Sequence, residues 1–478
     1  MQEIDYSRKW YVMLAVAMSI FLATIDGSIV NVALPILVRD LDAGFATVQW
    51  VILSYLLTQA TLMLSMGRLG DMLGKKPIYM GGTAVFIAGS ALCGLSPNVY
   101  WLIGFRVLQA VGAAMALTLG LAIITEAFPG TERGKALGLI STIVSIGIAI
   151  GPTIGGFILD FLSWQWIFYV NLPVGLIGIL LAWRYVPDFK PVGRQTFDYL
   201  GAATFFTGLL ALLLGLTLGP DAGYTQPAIL LLFAASIIFL ALFVFIELRV
   251  KQPMVELRLF RNRLFSSDLF IRLLSFVAFS GLAILMPFYL QNVMQYSLRQ
   301  VGLMLAVVPI CLGLTGPVAG SLSDRFGTRL ISLLGLVMLL IGYLAVSTLS
   351  EQTSVMGYLL RLAPVGMGMG IFQSPNNSSI MGSVSRDRLG VASGLLSVTR
   401  TLGSTTGVAV LGALWASRVL YYTGAPLPDG AVSGPILFQV AGLHDTFLIV
   451  AGMVVIGLGL AVWGLLRARQ VQPVPVLE

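Results

Sequence analysis

Charge is scarce in this chain: 10% of its 478 residues are Asp, Glu, Lys or Arg, against 57% hydrophobic ones. That leaves too little polar surface to coat a soluble globule of this length, and points to an all-α polytopic membrane protein. Histidine occurs once, as His444, and cysteine twice, as Cys93 and Cys311, both inside apolar runs. A disulfide framework and a metal site are thereby excluded, so no metal, no cofactor and no enzymatic chemistry is expected. Cys93 and Cys311 read as small packing hydrophobes. His444 reads as an interfacial residue, with a pH-sensitive gate as the alternative. The net charge of +7 is scattered through short polar breaks and does not form a nucleic-acid face.

What the chain has instead is long apolar runs. A spanning helix needs about 20 mostly apolar residues, and fourteen stretches qualify: 11–34, 47–66, 78–95, 101–125, 136–159, 166–185, 199–218, 227–246, 265–290, 301–322, 330–349, 355–375, 391–416 and 446–466. No cleavable leader is expected, because the first run is long enough to span and lacks a small-residue cleavage site. An even count puts both termini on one side. Lys and Arg accumulate in cytoplasmic loops. Arg8, Lys9, Arg68, Lys75, Lys76, Arg133, Lys135, Arg184, Lys190, Arg194, Arg249, Lys251, Arg258, Arg261, Arg263, Arg325, Arg329, Arg386, Arg388, Arg467 and Arg469 fall on the side of the termini, and only Arg39, Arg299 and Arg418 on the other. Cytoplasmic termini in a plasma membrane, or an inner membrane in a Gram-negative cell, follow.

Asp26 breaks the first apolar run. A carboxylate at membrane depth costs at least ~2.5 kcal/mol, so its default reading is functional. Entering from the cytoplasm near Tyr11, it lies ~22 Å along the helix, about 8 Å from the outer edge of a ~30 Å core. Arg106 enters from outside near Trp101 and reaches a depth of ~8 Å. Acid and base share a level, as expected of a buried pair, with backbone or Asn31 as the alternative partners of Asp26. Arg272, Arg361 and Arg400 also lie in apolar runs. Arg272 is expected to pair with Asp268 one turn earlier, and Arg400 lies near the midplane.

An internal repeat divides the chain. Gly67-Arg68-Leu69-Gly70-Asp71-Met72-Leu73-Gly74-Lys75-Lys76 follows the second run, and Gly320-Ser321-Leu322-Ser323-Asp324-Arg325-Phe326-Gly327-Thr328-Arg329 follows the tenth. Gly, Asp, Gly and a terminal base recur at matching offsets. The expected organisation is a six-helix bundle over 1–186, a linker with two inserted helices over 187–264, and a second six-helix bundle over 265–478. Repeats of this kind put a binding site near the midplane between halves. Asp71, in its loop, is expected to meet the start of helix thirteen near Val391 as a cytoplasmic latch, with Arg133 as ionic partner. Gly67, Gly74, Lys75, Asp324 and Arg325 belong to the same gate.

These residues resemble the major facilitator superfamily, specifically its fourteen-helix drug:proton antiporters. The run from Arg106 to Ala114 is similar to the family's fourth-helix motif, and Trp164 to Phe168 with Asn171 and Pro173 to its sixth-helix start. Gly390 to Gly394, with Arg400, Gly403 and Gly407, resembles its helix thirteen. Gly147, Gly151, Pro152, Gly155 and Gly156 match the fifth-helix motif that, in the family, marks antiport exporters. Physically, glycines at every fourth position let a neighbouring helix approach, and Pro152 bends the axis. The resemblance usually places Arg where Lys75 stands, which substitutes a point charge for a planar fork.

The resemblance implies a small-molecule substrate and protons as partners, the lipid bilayer as surroundings, a monomer, and an accessory efflux protein as a candidate partner at the outer loop near 418–445. Asn31, Gln49, Tyr55, Gln59, Gln109, Gln291, Gln373, Asn376 and Asn377, with Arg361 and Arg400, are candidates to line a cavity; interhelical bonding is the alternative. One deep acid among several arginines fits neutral, zwitterionic or anionic amphiphiles at least as well as dications. An exporter of a metabolite or lipid, or a proton-coupled importer, remains open.

Overall fold

The computed structural model describes residues 6–188, 196–424 and 434–470. Lys190 and Arg194 lie outside the described residues, as do the side chains of Pro152, Arg299 and Arg469. The described residues are helical and form no strand, as lipid requires when every backbone N–H and C=O must be satisfied within its own segment. The long helices are α1 (Lys9–Asp40), α2 (Phe45–Leu73), α3 (Lys75–Gly94), α4 (Val99–Ala127), α5 (Arg133–Phe161), α6 (Asn171–Tyr185), α7 (Tyr199–Ala222), α8 (Pro227–Glu247), α9 (Arg263–Phe288), α10 (Val307–Phe326), α11 (Thr328–Val346), α12 (Val355–Gly382), α13 (Leu389–Thr423) and α14 (Ile436–Gln470).

Among the described residues, thirteen helical spans are long and apolar enough to cross a membrane. The fourteenth expected span falls on α13, which is 35 residues long; Ser393, Ser397, Thr399, Arg400, Thr401 and Ser404 lower its apolar content. Several helices run beyond the apolar stretches that mark them. A helix does not stop where hydrocarbon stops; it stops where a residue breaks it, and α2 continues to Leu73 because the breaker is Gly74. Gly74 has φ +102° and Gly327 φ +91°, a left-handed region costly for any residue with a Cβ. Gly74 N–H closes on Gly70 O at 3.0 Å and Gly327 N–H on Ser323 O at 2.9 Å. The two copies of the loop signature thus make the same tight reversal.

The connecting segment near 418–445 is shorter than expected, since α13 runs to Thr423 and α14 begins at Ile436. His444 lies within α14, its ring nitrogen 2.5 Å from Leu349 O.

By their internal packing the residues fall into two compact units. The first comprises Met1–Leu257 with Met381–Thr401, the second Arg258–Ile380 with Leu402–Glu478. In the first, α3 packs closely along α4, α2 along α4, and α1 along α5, while α7 and α8 form a pair that also touches α2. A Cβ on Gly89 would lie 2.7 Å from Gln109 Cα, so a glycine there is what brings α3 against α4 and Ser90 beside Gln109. In the second unit, α9 and α11 both pack on α14.

Candidate functional site

Asp26 has no exposed surface. Three side chains converge on its carboxylate. Arg106 Nη1, from α4, lies 2.5 Å from Oδ2. Gln109, one turn further along the same face of α4, donates from Nε2 to Oδ1 at 2.9 Å. Asn171, at the start of α6, donates from Nδ2 to the same oxygen at 2.9 Å. Ser90 Oγ, on α3, accepts from Gln109 at 2.7 Å and from Asn171 at 3.4 Å, and itself donates to Phe86 O at 2.9 Å.

The base is held as firmly as the acid. Arg106 Nη1 also donates to Gln109 Oε1 at 2.6 Å, and its Nε to Val51 O at 3.0 Å. Its guanidinium stands 4.0 Å from the centre of the Tyr55 ring, where the ring face attracts a cation. Tyr55 Oη donates to Ala23 O at 3.4 Å and accepts from Gln59 Nε2 at 3.3 Å. The Gln109 amide therefore bridges the pair, its nitrogen on the acid and its oxygen toward the base. Five helices of the first unit contribute: the acid from α1, the Val51 carbonyl and Tyr55 from α2, Ser90 from α3, Arg106 and Gln109 from α4, Asn171 from α6. A buried ion pair is tolerable when further hydrogen bonds satisfy both partners, which is the arrangement seen.

The glycine face of α5 lies on α1 around this acid. A Cβ on Gly147 would sit 3.0 Å from Thr24 Cβ, and one on Gly155 2.8 Å from Ile29 Cγ1; on Gly151 it would overlap Ser28 Oγ. Ser28 Oγ donates to Gly147 O at 3.2 Å and to Ile25 O at 3.0 Å. Gly156 points away, with nothing within 4 Å of the Cβ position.

At the other end of the first unit, Asp71 receives the start of α13. Gly390 N–H donates to its Oδ1 and Val391 N–H to its Oδ2, each at 2.9 Å, the anion-at-helix-N-terminus geometry. Gly67 and Gly390 meet backbone to backbone, so that a Cβ on either would overlap the other's carbonyl oxygen. The ionic partner of Asp71 is Lys75 at 3.5 Å. Arg133 does not reach it; its Nε donates to Thr125 O at 3.0 Å, because α5 begins there and turns the side chain back onto the end of α4. Lys75 Nζ lies 3.0 Å from Glu126 Oε2 and 3.3 Å from Arg386 O. A compact ammonium serves three oxygens in different directions, where a planar fork favours two in one plane.

The remaining candidates are dispersed. Asn31 is exposed and bonds Gly27 O of its own helix at 3.3 Å. In the second unit, Arg361 is tied to Thr348 Oγ1 and Gly357 O, each at 3.0 Å. Arg272 donates to Asn377 Oδ1 at 2.5 Å and not to Asp268, which accepts instead from Ser379 Oγ at 2.7 Å; α12 offers both residues partners closer than each other. Asn376 and Asn377 are buried, Gln373 half-buried and Gln291 exposed. Asp324 is half-buried and Arg325 exposed. Arg400 is half-buried, with no ion pair among the described residues.

Asn171 and Ser90 are functional candidates that the sequence reading did not single out as such. Asn171 had a signal, an amide inside an apolar run at the start of a helix; Ser90 had none, since serines recur throughout these spans.

The profile of the Major Facilitator Superfamily matches residues 16–408. The chain is 34% identical over 417 residues to the riboflavin transporter RibZ of Clostridioides difficile, covering 87% of this chain and 90% of the relative. It is 32% identical over 421 residues to the multidrug transporter protein MdtP of Bacillus subtilis, covering 87% and 77%. The crystal structure of the human organic anion transporter MFSD10 (TETRAN) superposes with a TM-score of 0.66 at 16% identity, covering 95% of this chain and 99% of that one.

Proposed function

The chain belongs to the major facilitator superfamily and is a multi-pass membrane transporter, and on that premise we propose that it is a proton-coupled antiporter exporting drugs or other amphiphilic small molecules by alternating access. The single observation that carries the coupling is the wholly buried Asp26 gripped by Arg106, Gln109 and Asn171. Protonation removes the negative charge around which those three donors are arranged. Because the acid stands on α1 and the donors on α4 and α6, a change in its charge is a change in the attraction between helices. The small-residue face of Gly147, Gly151 and Gly155 brings α5 into close contact with α1 beside this acid, so that a shift of α1 bears directly on α5.

The Asp71 contact with Gly390 and Val391 supports a latch at the cytoplasmic end, one of two discrete arrangements that rocking requires. The charge bias of the loops supports cytoplasmic termini. The relative named as a multidrug transporter supports the breadth of cargo, and half-buried Arg400 supports neutral or anionic amphiphiles alongside cations. The riboflavin transporter among the relatives supports a second reading, in which the cargo is a metabolite.

The test is reconstitution into vesicles carrying an imposed pH gradient, with a panel of amphiphilic dyes of each charge. Dye movement opposite to proton flow, abolished by a protonophore, is the expected result; movement indifferent to the gradient sinks the reading.

A further inference from the structure

Asp268 is a half-buried acid that this mechanism leaves unused, and its surroundings differ from those of Asp26. It stands five residues into α9, about 8 Å from the helix start, at the end that the charge bias assigns to the cytoplasm. Its Oδ2 accepts from Ser379 Oγ at 2.7 Å, and its backbone carbonyl from Asn376 Nδ2 at 3.1 Å. No ion pair is made to it among the described residues. Arg329, from α11, lines the same pocket but donates from Nη1 to Gly464 O at 3.3 Å. Arg272, one turn on, is turned to Asn377. The α12 and α14 walls present no charged group to the pocket.

Beside the carboxyl is a cavity of about 20 Å³, enough for about one ordered water. Two buried polar atoms at it have no hydrogen-bond partner among the described residues, Ser267 Oγ and Asn376 Oδ1. Asn376 is only 2% exposed, and an orphaned atom there costs about 1–3 kcal/mol. A water or a protonated carboxyl supplies the missing donor.

The repeat explains how the pocket arises. The offset that carries Gly74 onto Gly327 carries Lys76 onto Arg329, Tyr79 onto Ser332 and Ala15 onto Asp268. The structural register agrees: Lys76 donates to Trp183 O on α6 at 2.9 Å, as Arg329 donates to Gly464 O on α14. In the first unit this place is filled by the fully buried Tyr79 ring, whose hydroxyl bonds Ala15 O at 3.1 Å and Ser19 Oγ at 2.6 Å. In the second unit a serine leaves the space open and an acid replaces the alanine methyl.

We propose that Asp268, with the water-sized pocket bounded by Ser267, Arg329, Ser332 and Asn376, is a second proton-binding site, which exchanges its proton with the cytoplasmic side. Ionised, the carboxylate accepts from Ser379 and faces Arg329; protonated, it donates to Asn376 Oδ1 or to the water. Both states are accommodated without moving a helix, unlike at Asp26. The stoichiometric consequence rests on the proton-coupled reading: two protons move per cycle, one through each acid.

The experiment pairs two measurements on the full-length protein: infrared difference spectra during a pH titration, and the proton count per substrate from reversal potentials in vesicles. Wild type should show a protonated-carboxyl band that is absent from Asp268→Asn and from Ser332→Tyr, the latter filling the pocket with the side chain the first unit already carries there. Both variants should move one proton fewer per cycle. A spectrum and count unchanged in both variants overturn the proposal. A wild type that moves no protons overturns the coupling reading instead, and the carboxyl band still decides whether Asp268 titrates. Should Asp268→Asn fail to fold, Ser332→Tyr carries both readouts.

Discussion

Asn171 and Asp26, 145 residues apart in the chain, meet at 2.9 Å with neither side chain exposed. An amide that donates to one carboxylate oxygen while Arg106 binds the other makes the charge of Asp26 a quantity three helices feel at once. Replacing Asn171 with Leu leaves Oδ1 with Gln109 alone. A loss of about 1–3 kcal/mol in stability is expected from the unmet acceptor, together with loss of pH-driven transport. Thermal unfolding and vesicle transport of the same preparation check it.

Removing Arg106 has a larger effect, because it strands a buried charge. Arg106→Gln should destabilise by about 3–5 kcal/mol, and Asp26→Asn added to it should recover most of that loss. A double-mutant cycle in unfolding experiments measures the coupling; additive losses would mean that the two residues act separately.

The glycines of α5 are separable by face. Gly151→Val drives a methyl into Ser28 and is expected to cost about 1–3 kcal/mol as overpacking and to slow transport. Gly156→Ala meets open space and should change stability by no more than about 0.5 kcal/mol. Comparing the two by unfolding and transport shows whether it is the contact with α1 that matters.

At the latch, Asp71→Ala removes the acceptor of two backbone N–H groups at the start of α13, an effect of about 0.5–2 kcal/mol by analogy with helix N-caps. Ser393, fully buried with its hydroxyl on Thr118 O at 2.5 Å, is the reporter. With Cys93 and Cys311 replaced by alanine, a Ser393→Cys thiol should react with maleimide faster in the Asp71→Ala background, and faster again with Gly67→Val, which holds Gly390 away. Unchanged labelling contradicts a latch.

Much of this was legible in the residues, and the reasons differ from site to site. The spans were visible because apolar length is a one-dimensional property. Asp26 and Arg106 stood out because isolated charges at membrane depth are costly, and counting residues from each face gave them a common level. The loop signature exposed the Asp71 contact because it occurs twice. What was not legible is which neutral groups complete a site. Gln109 was grouped with cavity-lining residues, and Asn171 only with a motif, since amides carry no periodicity that separates a ligand of Asp26 from interhelical bonding. Arg133 is offered as an ionic partner of Asp71 by its charge and side of the membrane; the turn into α5, which sequence does not show, aims it at Thr125. Helix ends were misjudged for a related reason, as at Gly74, where backbone conformation and not hydropathy decides.

The central claim is that the proton on Asp26 is the one that shifts the helices and so drives transport, and Asp26→Asn separates that role from a structural one. Asparagine keeps the shape of the side chain and an acceptor for Gln109 and Asn171 but cannot exchange a proton. Vesicles holding this variant should still exchange labelled for unlabelled substrate at equilibrium, and should fail to accumulate substrate against its gradient when a pH difference is imposed. Uphill accumulation at the wild-type level in Asp26→Asn would contradict the account.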